Sequence, residues 1–170
     1  FVAGTVLIDC ASVKVEVQKW YDEFLPSGVN YLLMHPLFGP DSAKQGLTGH
    51  TIAYTGGNCG KTEEYFITDF LTSVMKLNWL KITSDEHDRL MAYNLCLVHL
   101  LGRTMNELKI NEIPLKMNAL RHLNQITEFV MNDKMELFQD FFSYNRHAGY
   151  VKNKFSESLN KVCKENIPDV

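Results

Sequence analysis

The first 83 residues alternate short apolar runs with segments of helical periodicity, and this alternation constrains the fold more than any other feature of the chain. The predicted strands, rich in β-branched, aromatic and other apolar residues, are Thr5–Ile8, Tyr31–Met34, Thr51–Thr55 and Leu80–Thr83. The predicted helices between them are Val13–Leu25 and Lys61–Leu77. Strands that alternate with helices usually form a mainly parallel sheet. The sequence therefore predicts an α/β domain over residues 1–83.

Strand signals are absent after residue 83, where a long helix is predicted to begin. Ser84 offers a hydroxyl cap, and acidic residues follow it in the first turn. The helix is predicted to extend to Lys109, and it is apolar on nearly all sides, which indicates burial. Further helices are predicted at 117–131, 134–147 and 149–164. We therefore expect an all-α domain over residues 84–170, either a bundle or half of an intertwined dimer.

Composition excludes several classes of function. The chain has 170 residues, 45% of them hydrophobic and 22% charged, and its net charge of −3 predicts no nucleic-acid partner. No apolar run approaches the ~20 residues of a membrane span, so no membrane partner is expected. Four cysteines without a C-x-x-C pair predict free thiols in a reducing, cytoplasmic compartment.

Polar side chains follow the first two predicted strands, at the point where each strand ends. Because the carboxyl ends of parallel strands face the ligand crevice, we expect Ser12 and His35 to lie side by side. Pro36 restricts the backbone beside His35, and an imidazole with a pKa near ~6.5 suits proton transfer. Ser12 could bind one ring nitrogen and leave the other as a base. The alternative is a histidine with satisfied hydrogen bonds beside a helix-capping serine.

A second group of polar residues lies on the long helix. The eleven-residue step from Asp88 to His99 returns to nearly the same helix face, and Arg103 follows one turn later. Either His87 and Asp88 cap the helix while His99 bonds a neighbouring element, or His99 contacts a ligand. No His-x-x-x-His or cysteine pair accompanies them, so no metal site is predicted. A G-x-S-x-G elbow is also missing around Ser12, which argues against a serine hydrolase.

The motifs at these positions resemble one family. Asp-x-x-Ser-Val-Lys at 9–14, His-Pro-Leu-Phe-Gly-Pro-Asp-Ser at 35–42 and Glu-His-Asp at 86–88 with His99 resemble the prephenate/arogenate dehydrogenases of tyrosine biosynthesis. The resemblance runs from about Thr5 to Arg103, and more loosely beyond. It implies an α/β plus all-α architecture: the second half of a Rossmann-like parallel-sheet domain, then a helical dimerisation domain.

The glycine-rich turn of a nucleotide-binding domain is missing from this sequence. Such domains begin with a strand, a G-x-G-x-x-G turn and a helix that holds the pyrophosphate. Gly56-Gly57-x-x-Gly60 has the wrong spacing for that motif. We therefore expect the chain to be a piece of a larger enzyme that lacks the first half of its nucleotide-binding domain.

The resemblance also implies roles for particular residues. It implies that His35 and Ser12 are catalytic, and that these two with Pro36 contact a nicotinamide cofactor, NAD or NADP. The implied substrate-binding residues are His99, Arg146, Gln45 and Asp41. It implies a homodimer formed through the helical domain, and a small-molecule substrate, prephenate or arogenate.

The reaction implied is the oxidative decarboxylation of prephenate to 4-hydroxyphenylpyruvate. Some arogenate-specific relatives carry an acid near Gln45, so this neutral residue favours prephenate over the ammonium-bearing arogenate. Three alternatives stay open: an arogenate dehydrogenase, another two-domain hydroxyacid dehydrogenase, and a non-catalytic helical dimerisation module.

Overall fold

A computed structural model of the protein describes residues 4–166, without the side chains of Asp41 and Asn166. The chain forms two compact units. The first ends at Asp88 and the second begins at Arg89, five residues after the boundary expected from the loss of strand signals.

The first unit contains a four-stranded sheet in the order β1-β2-β3-β4. The strands are β1 (Val6–Asp9), β2 (Asn30–Pro36), β3 (Thr51–Gly57) and β4 (Asn78–Lys81). β1 pairs with β2 in parallel, and β3 pairs with β4 in parallel. The mostly parallel sheet predicted from the sequence is therefore confirmed, but β2 and β3 run antiparallel.

The connections explain this mixed pattern. A parallel pair needs a crossover connection, usually a helix, that returns the chain to the starting edge of the sheet. Helix α1 (Val15–Phe24) provides it between β1 and β2. Helix α3 (Lys61–Asp69) and the π-helical segment Phe70–Val74 provide it between β3 and β4. Between β2 and β3 there is only the single turn of α2 (Pro40–Ala43), and β3 runs back beside β2.

The central strand β2 is buried on both faces. Leu32 and Met34 belong to one core cluster, and Tyr31 and Leu33 pack with Val17 of α1 in another. A strand covered on both faces reads as a continuous apolar run, which is why its alternation is hidden in the sequence. His35 of the site described below lies near the end of this strand.

The second unit is helical, as predicted. Helix α4 (Ser84–Met91) contains the boundary between the two units. The elements after it are the π-helical segment Ala92–Leu97, α5 (Val98–Glu107), a 3₁₀ turn (Ile110–Glu112), α6 (Asn118–Met131), α7 (Met135–Tyr144) and α8 (Ala148–Asn166). Buried Cys96, Phe141 and Ala148 pack together. The hydroxyl that caps α4 belongs to Thr83, which accepts the Glu86 N–H at 3.1 Å, and not to Ser84 as expected.

Two further observations concern the whole described chain. Between residues 4 and 166, no helix is both long and apolar enough to cross a membrane. All four cysteines are free thiols.

Candidate active site

β1 and β2 deliver their last residues to the same edge of the sheet. They pair in parallel with Asp9 opposite Leu33, and β2 continues beyond this pair through His35, which pairs with Ala53 of β3. His35 is 8% exposed, and Ser12 is half-buried in the turn before α1. The partner of His35 differs from the expected one. Its Nδ1 lies 2.8 Å from Nε2 of His87, and no hydrogen bond to Ser12 is present.

His87 and Asp88 extend this contact into the interior. His87 Nδ1 lies 2.8 Å from Oδ1 of Asp88, and both side chains are fully buried. The three side chains therefore form one hydrogen-bonded row, Asp88–His87–His35. Sequence reasoning considered His87 and Asp88 only as caps of their own helix.

Asp88 in fact caps a different helix. Its carboxylate accepts the backbone N–H of Lys14 at 2.8 Å and that of Val15 at 2.9 Å, at the start of α1. The N-terminus of a helix carries partial positive charge and favours an anion. The two contacts span more than 70 residues of sequence, so no local pattern indicated them.

The Lys14 side chain is also fully buried at this edge. Its Nζ forms an ion pair with Asp9 and donates to the carbonyl oxygen of Met34. Burial lowers the pKa of Lys14, and the contact with Asp9 opposes that change. Asp9 additionally accepts the Ala11 N–H at 3.1 Å, which fixes the turn that carries Ser12.

His35 is held neutral by these surroundings. Burial, followed by electrostatic interactions with His87 and Lys14, lowers the pKa of His35 to about 3, against the opposing effect of Asp88. Its Nε2 has no hydrogen-bond partner among the described residues and is not sealed from solvent. The imidazole therefore presents a nitrogen that can bind a ligand at the sheet edge.

The loop after His35 carries the remaining candidates of the first unit. Phe38 stacks on His50 with ring centroids 4.8 Å apart, and His50 Nε2 lies 3.1 Å from the Ser42 carbonyl oxygen. Pro36 is half-buried and Gln45 is exposed. The Asp41 side chain lies outside the described part of the chain.

A second polar cluster lies within the helical unit, around His99. This residue is 1% exposed, with its ring beside Phe138 and edge-to-face with Phe141. Nε2 lies 3.3 Å from a carboxylate oxygen of Asp133, and the buried Nδ1 has no hydrogen-bond partner in the described chain. Burial lowers the pKa of His99, Asp133 raises it and Arg103 lowers it.

Arg103 is the arginine that bears on His99. Its guanidinium group lies 4.9 Å from the ring centre of Phe138 and donates to the carbonyl oxygens of Asp133 and Lys134 at 3.0 and 3.4 Å. Arg146 is exposed in the turn between α7 and α8. Sequence reasoning missed Asp133 and Phe138, because neither position belongs to a motif.

The described residues do not fit a whole dinucleotide. A pyrophosphate binds the free N–H groups at a helix N-terminus behind a glycine-rich turn. Here two N–H groups at the start of α1 already bind Asp88, and no glycine occurs between Asp9 and Lys14. In the described chain, no group of three or more His, Cys, Asp or Glu side chains is arranged to hold a metal ion.

The two units define an α/β protein of the Rossmann-like type with a helical domain after it. Solved structures support this fold. The match to an arogenate dehydrogenase from Synechocystis covers 95% of this chain and 61% of that protein's chain, with a TM-score of 0.67 and 15% identity. A prephenate dehydrogenase from Aquifex aeolicus, solved with hydroxyphenyl propionate and NAD+, covers 95% of this chain and 59% of its own, with a TM-score of 0.71 and 14% identity.

Sequence comparison points to the same relatives. Arogenate dehydrogenase 2, chloroplastic, from Arabidopsis thaliana is 26% identical over 168 residues, which are 95% of this chain and 46% of that protein. A family model described as "TYRAAT1-like, C-terminal domain" matches residues 104–166. The chain spans less than half the length of the curated relatives it matches. The resemblance to arogenate and prephenate dehydrogenases is thereby confirmed.

Proposed function

We propose that this chain is part of a dehydrogenase that oxidises prephenate at its ring C4 hydroxyl group. The observation that carries the proposal is His35, a neutral imidazole with an unpartnered Nε2 at the edge of a mostly parallel sheet. The relatives are named as dehydrogenases of arogenate and prephenate, which supports an oxidoreductase.

The reaction requires the protein to align the substrate with the hydride acceptor and to provide one proton acceptor. As hydride leaves C4, the C4 hydroxyl becomes strongly acidic, so even a weak base such as His35 can take its proton. Loss of the ring carboxylate as CO₂ leaves its electron pair in the ring and produces a phenolate. His35 then returns the proton to the phenolate oxygen, which completes 4-hydroxyphenylpyruvate. Aromatisation of the ring drives the reaction forward.

The hydride acceptor in this proposal is a nicotinamide cofactor, NAD or NADP. The Aquifex aeolicus structure contains NAD+, which supports the choice. We assign Ser12, His35 and Pro36 to contacts with the reactive end of such a molecule. The described residues provide no site for its pyrophosphate.

The proposal also includes substrate-binding residues. His99 offers a buried imidazole whose Nδ1 has no hydrogen-bond partner in the described chain, and we assign it to the substrate. Arg146, Gln45 and Asp41 remain substrate-binding proposals from the resemblance. The neutral Gln45 favours prephenate, whereas the two Arabidopsis thaliana relatives are named for arogenate.

The proposal has a direct kinetic test. Replacing His35 with asparagine removes the proton acceptor but preserves a polar side chain. We expect H35N to lower kcat by ~10²-fold or more with little change in KM, because the base acts in the transition state. The assay uses the full-length protein with prephenate and arogenate in parallel. A variant that turns over either compound at the wild-type rate would show that His35 is not the base.

The oligomeric state and the cellular environment are also part of the proposal. We propose a homodimer formed through the helical unit, supported by the apolar side chains it exposes. We also propose a reducing, cytoplasmic environment, supported by four free thiols. The Arabidopsis thaliana relatives are named chloroplastic.

A further inference from the structure

The Asp88 carboxylate acts as a hydrogen-bond acceptor. It is fully buried, and its two carboxylate oxygens take separate backbone N–H donors from the start of α1 at 2.8 and 2.9 Å. The buried ammonium group of Lys14 adds positive charge nearby. Hydrogen bonds and positive charge both favour the ionised carboxylate. Any group that hydrogen-bonds to Asp88 must therefore donate.

That requirement determines where His87 carries its proton. His87 Nδ1 lies 2.8 Å from Oδ1 of Asp88, so a His87 that carries a single ring proton has it on Nδ1. Its Nε2 then has no proton and presents a lone pair. This nitrogen lies 2.8 Å from Nδ1 of His35, which must in turn be the donor. The Asp88 carboxylate thus determines which ring nitrogen of His87 carries the proton and, through His87, which ring nitrogen of His35 does.

We propose that His87 is neutral and that Asp88 and His87 are positioning residues that hold His35 in the tautomer with the proton on Nδ1 and the lone pair on Nε2. This inference rests on the proposed function of His35, which it deepens. A solvated neutral histidine favours the opposite tautomer, with its proton on Nε2, and would present a donor at the sheet edge. The row of hydrogen bonds reverses that preference and makes the outward nitrogen an acceptor.

The geometry suits a fixed arrangement. His35 and His87 meet edge-to-face, with ring centroids 5.0 Å apart and planes at 68°. Both elements that carry them are anchored to α1: β2 through the Lys14 contact with the Met34 carbonyl oxygen, and α4 through Asp88. Preorganised groups of this kind lower the reorganisation that a proton transfer requires.

Nitrogen-15 NMR of histidine-labelled protein tests the tautomer directly, because protonated and unprotonated ring nitrogens have different chemical shifts. In the 170-residue chain at neutral pH, we expect His35 and His87 each to carry the proton on Nδ1. A His35 protonated on Nε2, or a His87 protonated on both nitrogens, would overturn the inference. This measurement needs no variant and no activity.

The variant His87→Phe removes the bridge but keeps a buried ring beside His35. We expect the signal of Nε2-protonated His35 to become the major form, and kcat of the full-length protein to fall by about 10-fold or more with little change in KM. The matched control is Ser84→Ala on the same helix. Its hydroxyl donates to Gln18 Oε1 at 2.8 Å, so it also links α4 to α1 but touches neither imidazole. S84A is expected to leave both tautomers unchanged.

The outcomes separate this inference from the proposed function. If the wild-type tautomer is as stated but H35N retains full activity, the positioning row is real and His35 is not the base. If H35N is inactive while H87F retains both its tautomer and its rate, His35 is the base and the row does not position it.

Discussion

Single residues at the sheet edge owe their properties to partners from distant parts of the chain. In isolation, His35 is an ordinary imidazole at the end of a strand. In the folded protein the side chain is buried, and it interacts with His87 of α4 and with the ammonium group of Lys14. The residue type gave a candidate base, and the surroundings determine its charge state.

The low pKa of His35 predicts acid sensitivity of the fold. An unfolded histidine binds a proton below a pKa of ~6.5, whereas folded His35 does so only near about 3. Between these values the unfolded state carries the extra proton, so the free energy of unfolding falls as the pH is lowered. We expect His35 to account for a loss of up to about 3 kcal/mol between about pH 6.5 and 4.5, and for none above it.

Urea unfolding at several pH values measures this loss, with H35N as the matched variant. H35N cannot bind the proton, so its stability is expected to fall less over the same range. The remaining slope comes from other groups, including His99, whose pKa is also lowered. Equal acid losses in the two proteins would show that His35 does not carry the effect.

Helices and strands follow the sequence periodicity closely, with two local exceptions. Phe70–Val74 and Ala92–Leu97 are wound as π-helix, within segments predicted as regular α-helix. An eleven-residue step returns to the same helix face only at 3.6 residues per turn, and the π-helical winding of Ala92–Leu97 breaks that spacing between Asp88 and His99. Each of these polar residues instead finds partners within its own unit.

The contact between α5 and α6 depends on a glycine. A Cβ atom at Gly102 would lie 3.0 Å from Cβ and Cγ2 of Val130 and 3.3 Å from the Ile126 carbonyl oxygen. Alanine is the better helix former by about 1 kcal/mol, but overpacking costs about 1–3 kcal/mol. We expect Gly102→Ala to lower the free energy of unfolding by about 1 kcal/mol, measured by urea denaturation.

Gly149 provides the matched comparison. It also lies in a helix, α8, but a Cβ there would meet nothing within 4 Å. Gly149→Ala is therefore expected to raise stability by up to about 1 kcal/mol. If both substitutions stabilise the protein, helix propensity outweighs packing at Gly102 and the close helix contact is not limiting.

At the scale of the whole molecule, the helical unit exposes apolar side chains that a monomer would leave in water. Phe129 of α6 is 58% exposed and borders a depression of about 380 Å³ lined by Val98, His122, Gln125 and Ile126. An exposed aromatic side chain beside a surface depression is a candidate interaction site. This surface supports the proposed homodimer.

Sedimentation of the 170-residue chain tests the dimer. We expect wild-type protein to sediment as a dimer, and Phe129→Glu to shift it towards monomer because a buried, unpaired charge opposes association. Phe66→Glu is the control: Phe66 is 74% exposed, but it lies on α3 of the first unit. A monomeric wild type, or a dimer lost equally in both variants, would contradict assembly through the helical unit.

Much of the fold was predictable because it is encoded locally. Apolar periodicity placed every strand and every long helix within a few residues, since each pattern lies within one segment of chain. The motif at His35 and the spacing to His99 were likewise visible, and they carried the family resemblance. The mostly parallel sheet followed from the order of these segments.

The sequence alone thus determined the elements, their order and the candidate base, whereas the tertiary structure decided how they meet. The antiparallel pairing of β2 with β3, the capping of α1 by Asp88 and the contact of His35 with His87 appear only in the folded chain. The two hydrogen-bonded contacts join residues 74 and 52 positions apart. Local propensity carries no signal over such separations, because these hydrogen bonds form only when packing of the whole unit brings the partners together.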